Sequence, residues 1–447
     1  MHIQRFYDKG LAHASYVVQS ENQIIVVDPA RNPQPYYDYA KENKGTIVGV
    51  IETHPHADFV SSHLEISQTT EAVIYVSEKV GADYSHQPFD GGSKIALGKI
   101  ELQALDTPGH SPDSISIVVT DEDGKQRAVF TGDTLFIGDV GRPDLRENAG
   151  NMQAKREELA RQMYHSTREV LMKLDPQVIV YPAHGAGSLC GKGMSDELSS
   201  TLKEQLEDNA ALQPMSEDEF VAWLLEGQPF IPKYFGYAVD VNKAGVANYA
   251  DSIAAVPRLD SQPKQPLSDG FIVDTRPAAD FKEGHHAGAI NIMAGNKFET
   301  WLGSIIDPKE RFYLVGTDSE AIETAIQKAA KIGYAVHMLG GFVFDGAERE
   351  SQMSGLDLED FKIHKTNYTI VDIRNQSEVA DGKFFDHAIN IPLPELRERA
   401  EEIPTDKPVI VHCAGGYRSA AGSSIVDSII GDRTEVYDLS DAVNEFK

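Results

Sequence analysis

The stretch Thr53-His54-Pro55-His56-Ala57-Asp58-Phe59 directly follows a short apolar run, Gly49 to Glu52, that has the character of a buried strand. Three further segments in the first half of the chain end a predicted strand with a potential metal ligand: Thr107-Pro108-Gly109-His110, Thr131-Gly132-Asp133-Thr134 and Pro182-Ala183-His184-Gly185. Strand ends at one edge of a layered sheet lie close in space, so these imidazole and carboxylate groups can converge on one metal ion. Scattered surface or core histidines are the alternative, but four such motifs in chain order argue against it.

The same half of the chain alternates short β-rich runs with helices, which is typical of an α/β fold. Seven strands are predicted, at Ile24 to Val27, Gly49 to Glu52, Val73 to Val76, Ile100 to Leu105, Ile115 to Val119, Ala128 to Thr131 and Val178 to Tyr181. A long helix is predicted between the last two strands from apolar residues at helical spacing, namely Leu159, Met163, Val170 and Leu174. Ser216 and Glu219 form a capping-box signal for another helix, which Gly227 would end.

Composition and charge narrow the classes of function. A chain of 447 residues is about three typical domain lengths. Its net charge of -28 repels nucleic acid phosphates and anionic lipid surfaces, so we expect no nucleic-acid and no membrane partner. A small anionic substrate would need a local basic patch, for which the candidates are Arg142, Arg146, Lys155, Arg156 and Lys192.

The chain's cysteine content and its first residues indicate a compartment. The start, Met1 to Lys9, lacks the apolar core of a signal peptide, and no apolar run approaches the ~20 residues of a membrane span, so we expect a cytoplasmic protein. Cys190 and Cys413 are the two cysteines of the sequence. They exclude a disulfide framework, and each thiol is a candidate for chemistry in a reducing compartment.

The second half of the chain contains an internal repeat. A Pro-rich segment, residues 257–266, has the character of a linker. Beyond it, Ile272-Val273-Asp274-Thr275-Arg276 recurs 98 positions on as Ile370-Val371-Asp372-Ile373-Arg374. Ala289-Ile290-Asn291-Ile292 recurs 99 positions on as Ala388-Ile389-Asn390-Ile391, so two copies of one α/β domain are predicted.

The loops after the second buried strand of each copy differ. In the second copy, Val411-His412-Cys413-Ala414-Gly415-Gly416-Tyr417-Arg418-Ser419 places a cysteine in a Gly-rich loop that opens a helix. Inward-pointing N–H groups and a helix N-terminus favour a thiolate, and Arg418 adds positive charge, so Cys413 and Arg418 are the predicted catalytic pair. A buried structural thiol is the alternative, but it would not require the glycines and the arginine. The first copy reads Val315-Gly316-Thr317-Asp318-Ser319-Glu320, without cysteine, and we predict a structural or docking module there.

Residues 1 to about 240 resemble the metallo-β-lactamase superfamily, whose signature is HxHxDH followed by His, Asp and His. Phe59 stands where the two-metal members have the last histidine of HxHxDH, and it cannot coordinate a metal. In that family this histidine and Asp58 help to hold the second ion. The resemblance therefore implies one metal per chain, with a weak or empty second position.

The mononuclear branch of that superfamily, the persulfide dioxygenases, implies a ligand set. Its metal ligands correspond to His54, His110 and Asp133, with His56, Asp58 and His184 nearby or at the substrate. Two histidines and one carboxylate leave open positions for substrate and O₂, as in non-haem Fe(II) oxygenases. Spacing alone does not separate Fe(II) from Zn(II), but the resemblance implies one Fe(II) per chain.

Two residues near this site have open roles. Gly141-Arg142-Pro143-Asp144 resembles the Gly-Arg-x-Asp segment of the dioxygenases, where Arg142 could meet a substrate carboxylate or pair with Asp144; we favour the ion pair. Cys190 follows His184 in a loop of small residues and could act near the metal as a second sulfur carrier, but a buried thiol is at least as well supported.

Residues from about 366 to 447 resemble a rhodanese sulfurtransferase. The resemblance rests on Cys-x-x-Gly-x-Arg, Ile370 to Arg374 and Asp386 to Pro392. Protein tyrosine phosphatases place five residues between cysteine and arginine, whereas four separate Cys413 from Arg418. The resemblance implies that a cysteine persulfide on Cys413 is held by the loop residues Ala414, Gly415, Gly416, Tyr417 and Ser419.

The whole chain resembles the bacterial persulfide dioxygenase/rhodanese fusion proteins of sulfide detoxification. The resemblance implies oxidation of a low-molecular-weight thiol persulfide, of glutathione, coenzyme A or bacillithiol type, by O₂ to sulfite. Cys413 would then transfer sulfane sulfur to sulfite and give thiosulfate. We also expect a homo-oligomer.

Two alternatives from other classes remain open. One is a glyoxalase-II-like thioester or lactone hydrolase fused to a sulfurtransferase, which uses a metal-bound hydroxide and against which Phe59 argues. The other treats the rhodanese pair as a binding scaffold that delivers sulfur to a partner, with a vestigial metal site.

The predicted architecture is an α/β chain with three domains. An N-terminal metallo-β-lactamase αββα sandwich covers residues 1–256, and the linker covers 257–266. A degenerate rhodanese-like domain without the catalytic cysteine covers 267–355. An active rhodanese domain covers 356–447, and both rhodanese-like domains have parallel sheets.

Overall fold

The computed structural model describes residues 1–145, 156–260, 270–346 and 350–447. Within these residues the chain forms two compact units. The first comprises Met1–Asp251 with Lys331–Gly333, and the second comprises Ser252–Ala330 with Tyr334–Lys447.

The first unit contains two six-stranded sheets. The first sheet follows chain order, with β1–β3 antiparallel and β3–β6 parallel; its strands are β1 (His2–Asp8), β2 (His13–Ser20), β3 (Gln23–Val27), β4 (Thr46–Ile51), β5 (Val73–Val76) and β6 (Gln87–Pro88). The second has the order β12-β11-β10-β9-β8-β7, and only β10 and β11 pair in parallel there; its strands are β7 (Lys94–Leu97), β8 (Ile100–Asp106), β9 (Ile115–Thr120), β10 (Gln126–Gly132), β11 (Ile179–Pro182) and β12 (Ser200–Thr201).

Helices α1 (Gln34–Glu42) and α2 (His63–Thr70) pack on the outer face of the first sheet. Helices α3 (Arg156–His165), α4 (Leu202–Asp208) and α5 (Glu217–Leu225) pack on that of the second, and α6 (Phe235–Ala244) and α7 (Tyr249–Ala254) follow them in the chain. One core lies between the sheets, and two more lie between a sheet and its helices. On β3, Ile25 and Val27 face the central core while Ile24 and Val26 face α1, which explains why this strand is apolar throughout. The predicted αββα sandwich is confirmed.

The seven predicted strands are present, but five others were missed. β2 carries buried polar residues such as His13 and Ser15, and β6 and β12 have two residues each, so neither kind gives an alternating apolar signal. The predicted long helix begins as α3 and continues as a π-helical turn, Ser166–Val170. The capping box forms, since Glu219 N–H donates to Ser216 Oγ at 3.3 Å and Ser216 N–H donates to Glu219 Oε2 at 2.8 Å.

The second unit contains two four-stranded parallel sheets with the same strand order. The first copy has the order β14-β13-β15-β16, from β13 (Phe271–Asp274), β14 (Ile290–Asn291), β15 (Phe312–Gly316) and β16 (Met338–Val343), with α8 (Ala278–Glu283), α9 (Phe298–Ile305) and α10 (Ser319–Lys331). The second copy has the order β18-β17-β19-β20, from β17 (Thr369–Asp372), β18 (Ile389–Asn390), β19 (Val409–His412) and β20 (Val436–Asp438), with α11 (Leu358–Ile363), α12 (Gln376–Asp381), α13 (Leu396–Arg399) and α14 (Tyr417–Ile430).

The repeated sequence motif builds the same hydrogen-bond network twice, and its Asp and Arg are buried in both copies. Arg276 donates to Asp274 at 2.7 Å in the first copy, and Arg374 donates to Asp372 at 2.6 Å in the second. Asn291 Nδ2 donates to the carbonyls of residues 274 and 276, and Asn390 Nδ2 donates to those of 372 and 374. A buried charge is costly unless it is paired, and each Arg–Asp pair meets this need. Folding alone therefore explains why these residues are repeated.

The predicted linker lies partly outside the described residues, which omit 261–269. Its first residues contact the first copy, where Leu259 N–H donates to Gly341 O at 2.9 Å. Among the described residues, no helix has the length and apolar character needed to cross a membrane.

Candidate functional site

His54, His110 and Asp133 come together at strand ends of the first unit. His54 follows β4, His110 follows β8, and Asp133 follows β10. Asp133 Oδ2 lies 3.7 Å from His54 Nε2 and 3.4 Å from His110 Nε2. The three potential ligand atoms lie within 4.8 Å of one another, and all three residues are buried.

Neighbouring groups hold the outer atom of each of these side chains. Thr53 Oγ1 lies 3.0 Å from His54 Nδ1, and the carbonyl of Arg142 accepts from His110 Nδ1 at 2.9 Å. His184 Nδ1 lies 2.7 Å from Asp133 Oδ1. Such contacts fix the orientation of metal-binding side chains.

The inward atoms fit a bound cation. His54 Nε2 and Asp133 Oδ2 are buried without a hydrogen-bond partner among the described residues. Buried polar atoms are nearly always satisfied, so orphaned atoms of this kind indicate a missing partner. Two imidazole nitrogens and one carboxylate oxygen are a donor set that Fe(II) and Zn(II) both accept.

The charge states of these groups also suit a metal. Burial and the neighbouring His56 lower the pKa of His54 well below its usual value. Burial alone would raise the pKa of Asp133, but His184 and His110 outweigh it and hold that pKa well below the usual range. His54 is therefore neutral and Asp133 ionised at neutral pH, which are the forms that bind metals.

His56 points away from this group. Its Nε2 lies 3.2 Å from Asp28 Oδ1 and 3.7 Å from Glu52 Oε2. Burial would lower the pKa of His56, but Asp28 outweighs it and raises that pKa. Phe59 packs on the same ring at a centroid distance of 4.4 Å and on His13 at 3.9 Å.

Asp58, His184 and Cys190 form a second buried group of potential ligands, also within 4.8 Å of one another. His184 Nε2 lies 2.8 Å from Asp58 Oδ2, so His184 bridges Asp58 and Asp133. Burial would lower the pKa of His184, but the two carboxylates outweigh it and raise that pKa well above its usual value. Burial, then Asp133 and Asp58, raises the pKa of the Cys190 thiol well above its usual value, so Cys190 is protonated at neutral pH.

Arg142 is buried and pairs with Asp144. Its Nε and Nη2 donate to the two carboxylate oxygens at 2.6 and 2.7 Å, and its Nη1 donates to two backbone carbonyls at 3.3 Å. Of the other candidates for a basic patch, Arg146 and Lys155 lie outside the described residues. The Lys192 ammonium donates to the carbonyl of Glu226 at 2.8 Å.

Cys413 lies in the second unit, directly after β19 and before α14. Its side chain is buried, and Gly416 N–H donates to its Sγ at 3.2 Å. Gly416 has a φ of 96°, a left-handed conformation that favours glycine. This conformation turns the peptide N–H inward at the start of the helix, where negative charge on sulfur is favoured.

The other loop residues surround Cys413 unevenly. Gly415 is exposed and Ala414 is half-buried, while Ser419 Oγ donates to Gly416 O at 3.0 Å. Arg418 does not end as a free cation beside the sulfur, because both its terminal nitrogens donate to Glu378 at 2.7 Å. The ion pair with Glu378 fixes the position of Arg418 next to the Cys413 loop.

The comparisons with known proteins identify the two kinds of domain. The metallo-beta-lactamase superfamily matches residues 8–184, and the rhodanese-like domain matches residues 258–344 and 357–447. A crystal structure of a metallo-beta-lactamase from Staphylococcus aureus subsp. aureus COL is 30% identical, covers 77% of this chain and 99% of that chain, and has a TM-score of 0.67. The chain belongs to the metallo-β-lactamase superfamily. Its superfamily domain is joined to two rhodanese-like domains, as the sequence predicted.

Two relatives within the superfamily represent different chemistries. The mitochondrial persulfide dioxygenase ETHE1 of Bos taurus is 24% identical and matches over 54% of this chain and 86% of its own length. The cytoplasmic hydroxyacylglutathione hydrolase of Arabidopsis thaliana is 31% identical and matches over 38% of this chain and 62% of its own length. The chain is thus an enzyme of the superfamily branch that holds metallo-hydrolases and persulfide dioxygenases.

The sequence did not reveal four residues that contact the side chains of these two sites. Asp28 and Glu52, which hold His56, each end an apolar strand run, so the strand-end rule applied to the histidines would have found them. Glu378, the partner of Arg418, lies in a capping box that is visible in the sequence. His13 is the first residue of β2, and no sequence signal marks it.

Proposed function

We propose that this protein is a persulfide dioxygenase with sulfurtransferase activity. It oxidises the terminal sulfur of a low-molecular-weight thiol persulfide, RSSH, with O₂ to sulfite. It then transfers sulfane sulfur through Cys413 to sulfite and gives thiosulfate, a sequence suited to sulfide detoxification. The architecture and the persulfide dioxygenase relative support this proposal.

The oxidation site in this proposal is the group His54, His110 and Asp133. Bound there, one Fe(II) would supply open positions for the substrate sulfur and O₂. The reaction balances as RSSH + O₂ + H₂O → RSH + H₂SO₃, because one sulfur atom provides the four electrons that O₂ accepts. No reducing cosubstrate is needed.

The protein's own groups prepare this site. His184 holds Asp133 through a hydrogen bond of 2.7 Å and keeps one carboxylate oxygen directed inward. The ring of Phe59 packs on His13 at a centroid distance of 3.9 Å and on His56 at 4.4 Å, so no imidazole occupies that position. The buried neutral thiol of Cys190 lies beside Asp58 and His184.

Sulfur transfer proceeds through Cys413 as nucleophile. The thiolate attacks the terminal sulfur of RSSH, the S–S bond breaks, and RS⁻ leaves as a cysteine persulfide forms. Sulfite then attacks the terminal sulfur of that persulfide and leaves as thiosulfate, which regenerates the thiolate. The Gly416 N–H, 3.2 Å from Sγ, stabilises the negative charge on sulfur before and after transfer.

The observation that carries the proposal is the composition of the first metal-ligating group. It contains two imidazoles and one carboxylate, while His56 belongs to a separate buried group with Asp28 and Glu52, whose oxygens lie 3.2 and 3.7 Å from its Nε2. A site of this kind leaves several positions open, which oxidation by O₂ needs.

Metal analysis with oxygen uptake tests the proposal. The full chain, loaded with Fe(II) without air, should retain one iron and consume one O₂ for each sulfite formed from the persulfides of glutathione, coenzyme A or bacillithiol. Two fully occupied metal sites per chain, or no oxygen uptake with any of these persulfides, would refute it. Uptake with one persulfide far above the others would identify the thiol.

A second candidate is a metal-dependent thioester hydrolase fused to a sulfurtransferase. The hydroxyacylglutathione hydrolase relative favours it, since that relative's name denotes thioester hydrolysis. Hydrolysis of S-lactoylglutathione by the zinc-loaded chain, without oxygen uptake by the iron-loaded chain, would select this candidate.

A further inference from the structure

A turn of the cysteine-free first copy contacts the helix that closes the Cys413 loop. The turn comprises residues 293–295. Tyr417, the first residue of α14, donates its hydroxyl to the carbonyl of Met293 at 2.7 Å. Tyr417 is also separated from Cys413 by only three residues, so its position constrains the loop directly.

The turn is held firmly by its own copy. Gly295 N–H donates to Met293 O at 2.7 Å, and Ala294 N–H donates to Thr275 O at 3.0 Å. The ammonium of Lys328, on α10, donates to the carbonyl of Gly295 at 2.7 Å. A turn fixed by three such bonds presents the Met293 carbonyl in one place.

The next residue of α14 also contacts the first copy. The guanidinium carbon of Arg418 lies 5.8 Å from the ring centre of Trp301, on α9. This distance is within the range of a cation–π contact. Farther along α14, Ser424 Oγ accepts from Asn291 N–H at 2.9 Å. The helix that follows the cysteine loop is thus docked on the first copy along its length.

We propose that Tyr417 is a positioning residue for sulfur transfer and that the 293–295 turn sets the conformation of the Cys413 loop. This inference rests on the proposed sulfur transfer at Cys413. It gives the first copy a defined role in that reaction. The copy lacks a nucleophile, yet it fixes the start of α14 and therefore the Gly416 N–H that contacts Sγ.

A substitution made entirely in the first copy tests this inference. A Cβ atom at Gly295 would lie 2.8 Å from Cε2 and 3.4 Å from Cζ of the Tyr417 ring, so Gly295→Ala must displace that ring. Gly355→Ala is the matched control, because no atom of the described residues lies within 4 Å of a Cβ there. Tyr417→Phe is the second variant, which removes the hydroxyl and keeps the ring.

Two readouts on the full chain separate positioning from folding. The first is thiosulfate formation from glutathione persulfide and sulfite without air. We expect kcat to fall about fivefold for Gly295→Ala and for Tyr417→Phe, the worth of one hydrogen bond, with KM within about twofold. The second is the rate of iodoacetamide alkylation at Cys413, followed by mass spectrometry, which should change in both variants and not in Gly355→Ala.

The outcomes distinguish this inference from the proposed function. A parent chain that makes no thiosulfate refutes sulfur transfer, while the alkylation rates still report on positioning. Variants that match Gly355→Ala in both readouts overturn the inference. If Gly295→Ala does not fold, Tyr417→Phe alone tests the inference. An unchanged rate of Cys413 alkylation in Tyr417→Phe then overturns it.

Discussion

The two rhodanese-like copies share a strand order and a buried Asp–Arg–Asn network, but the loops after β15 and β19 differ. Strand pairing makes Gly316 the equivalent of Cys413, since both lie four residues beyond matched positions, Phe312 and Val409. Two residues separate Gly316 from the start of α10 in the first copy. Three residues separate Cys413 from the start of α14 in the second copy.

Both helices place an acceptor at the N-terminus, where unpaired N–H groups favour negative charge. In the first copy the acceptor is Asp318, whose carboxylate takes the N–H of Ala321 at 2.8 Å. In the second copy no side chain caps α14, and Cys413 Sγ accepts from Gly416 N–H instead. Each copy thus places a hydrogen-bond acceptor against an N–H group at the start of its helix. The acceptor is a structural carboxylate in the first copy and a reactive sulfur in the second.

The largest expected effect comes from removing that sulfur. Cys413→Ser should abolish thiosulfate formation, because the first copy offers no nucleophile in its place. Oxygen uptake with RSSH should continue, and sulfite should accumulate apart from slow uncatalysed reaction with persulfide. Thiosulfate formed at the parental rate would instead make Cys190 the carrier.

Asp133→Asn tests whether the second copy works independently of the oxidation site. The substitution removes the charged oxygen that faces His54 and His110, so bound iron and oxygen uptake should fall to background. Sulfur transfer from thiosulfate to cyanide at Cys413 should persist. Loss of both activities in a folded variant would contradict independent sites.

Gly416→Ala tests the loop conformation that the first copy lacks. Alanine at a φ of 96° is strained, and its Cβ would lie 2.9 Å from Asp441 N, so kcat/KM for sulfur transfer should fall about tenfold. Gly415→Ala adds the same methyl group where, in the part of the chain that the structure describes, no atom lies within 4 Å, and it should cost less. Equal losses in the two variants would show that the left-handed residue has no special role.

Arg397→Met tests how the copies hold together. Arg397 donates to Glu310 at 2.7 and 3.0 Å and to Ile305 O at 2.9 Å, so its loss should lower the free energy of unfolding of the second unit by about 1–2 kcal/mol. Urea unfolding in a Trp223→Phe background measures this, because Trp301 then reports on that unit. Arg399→Met, which breaks exposed contacts with Glu395 and Glu402, should leave the midpoint unchanged.

The smallest expected effect is that a cysteine placed in the first copy restores no sulfur transfer. Gly316→Cys in a Cys413→Ser background should restore no sulfur transfer, because a Cβ at Gly316 would lie 2.8 Å from Cδ1 of the buried Ile322 and the loop is one residue short. Recovery of thiosulfate formation would show that a cysteine at this strand end suffices. The comparison of the two copies would then rest on that residue alone.

The sequence by itself determined the α/β class and the duplication, and its resemblance to the metallo-β-lactamase superfamily implied the αββα sandwich and the candidate ligands His54, His110 and Asp133. The α/β class follows from local patterns, since buried strands read as short apolar runs, and the candidate side chains stand out because they follow strand ends. The repeat was equally plain, because Asp and Arg stand two residues apart in both copies and the Asn follows 17 residues after Asp274 and 18 residues after Asp372.

Only the tertiary structure decided how side chains far apart in sequence pair. His56 turns toward Asp28 and Glu52, Arg418 is engaged by Glu378, and Tyr417 contacts a carbonyl 124 residues away. These choices depend on burial, because a desolvated charge or hydroxyl binds whichever partner the packing brings within reach. Local sequence patterns identify the groups that can react, but the packing of the whole domain selects the partners that hold them.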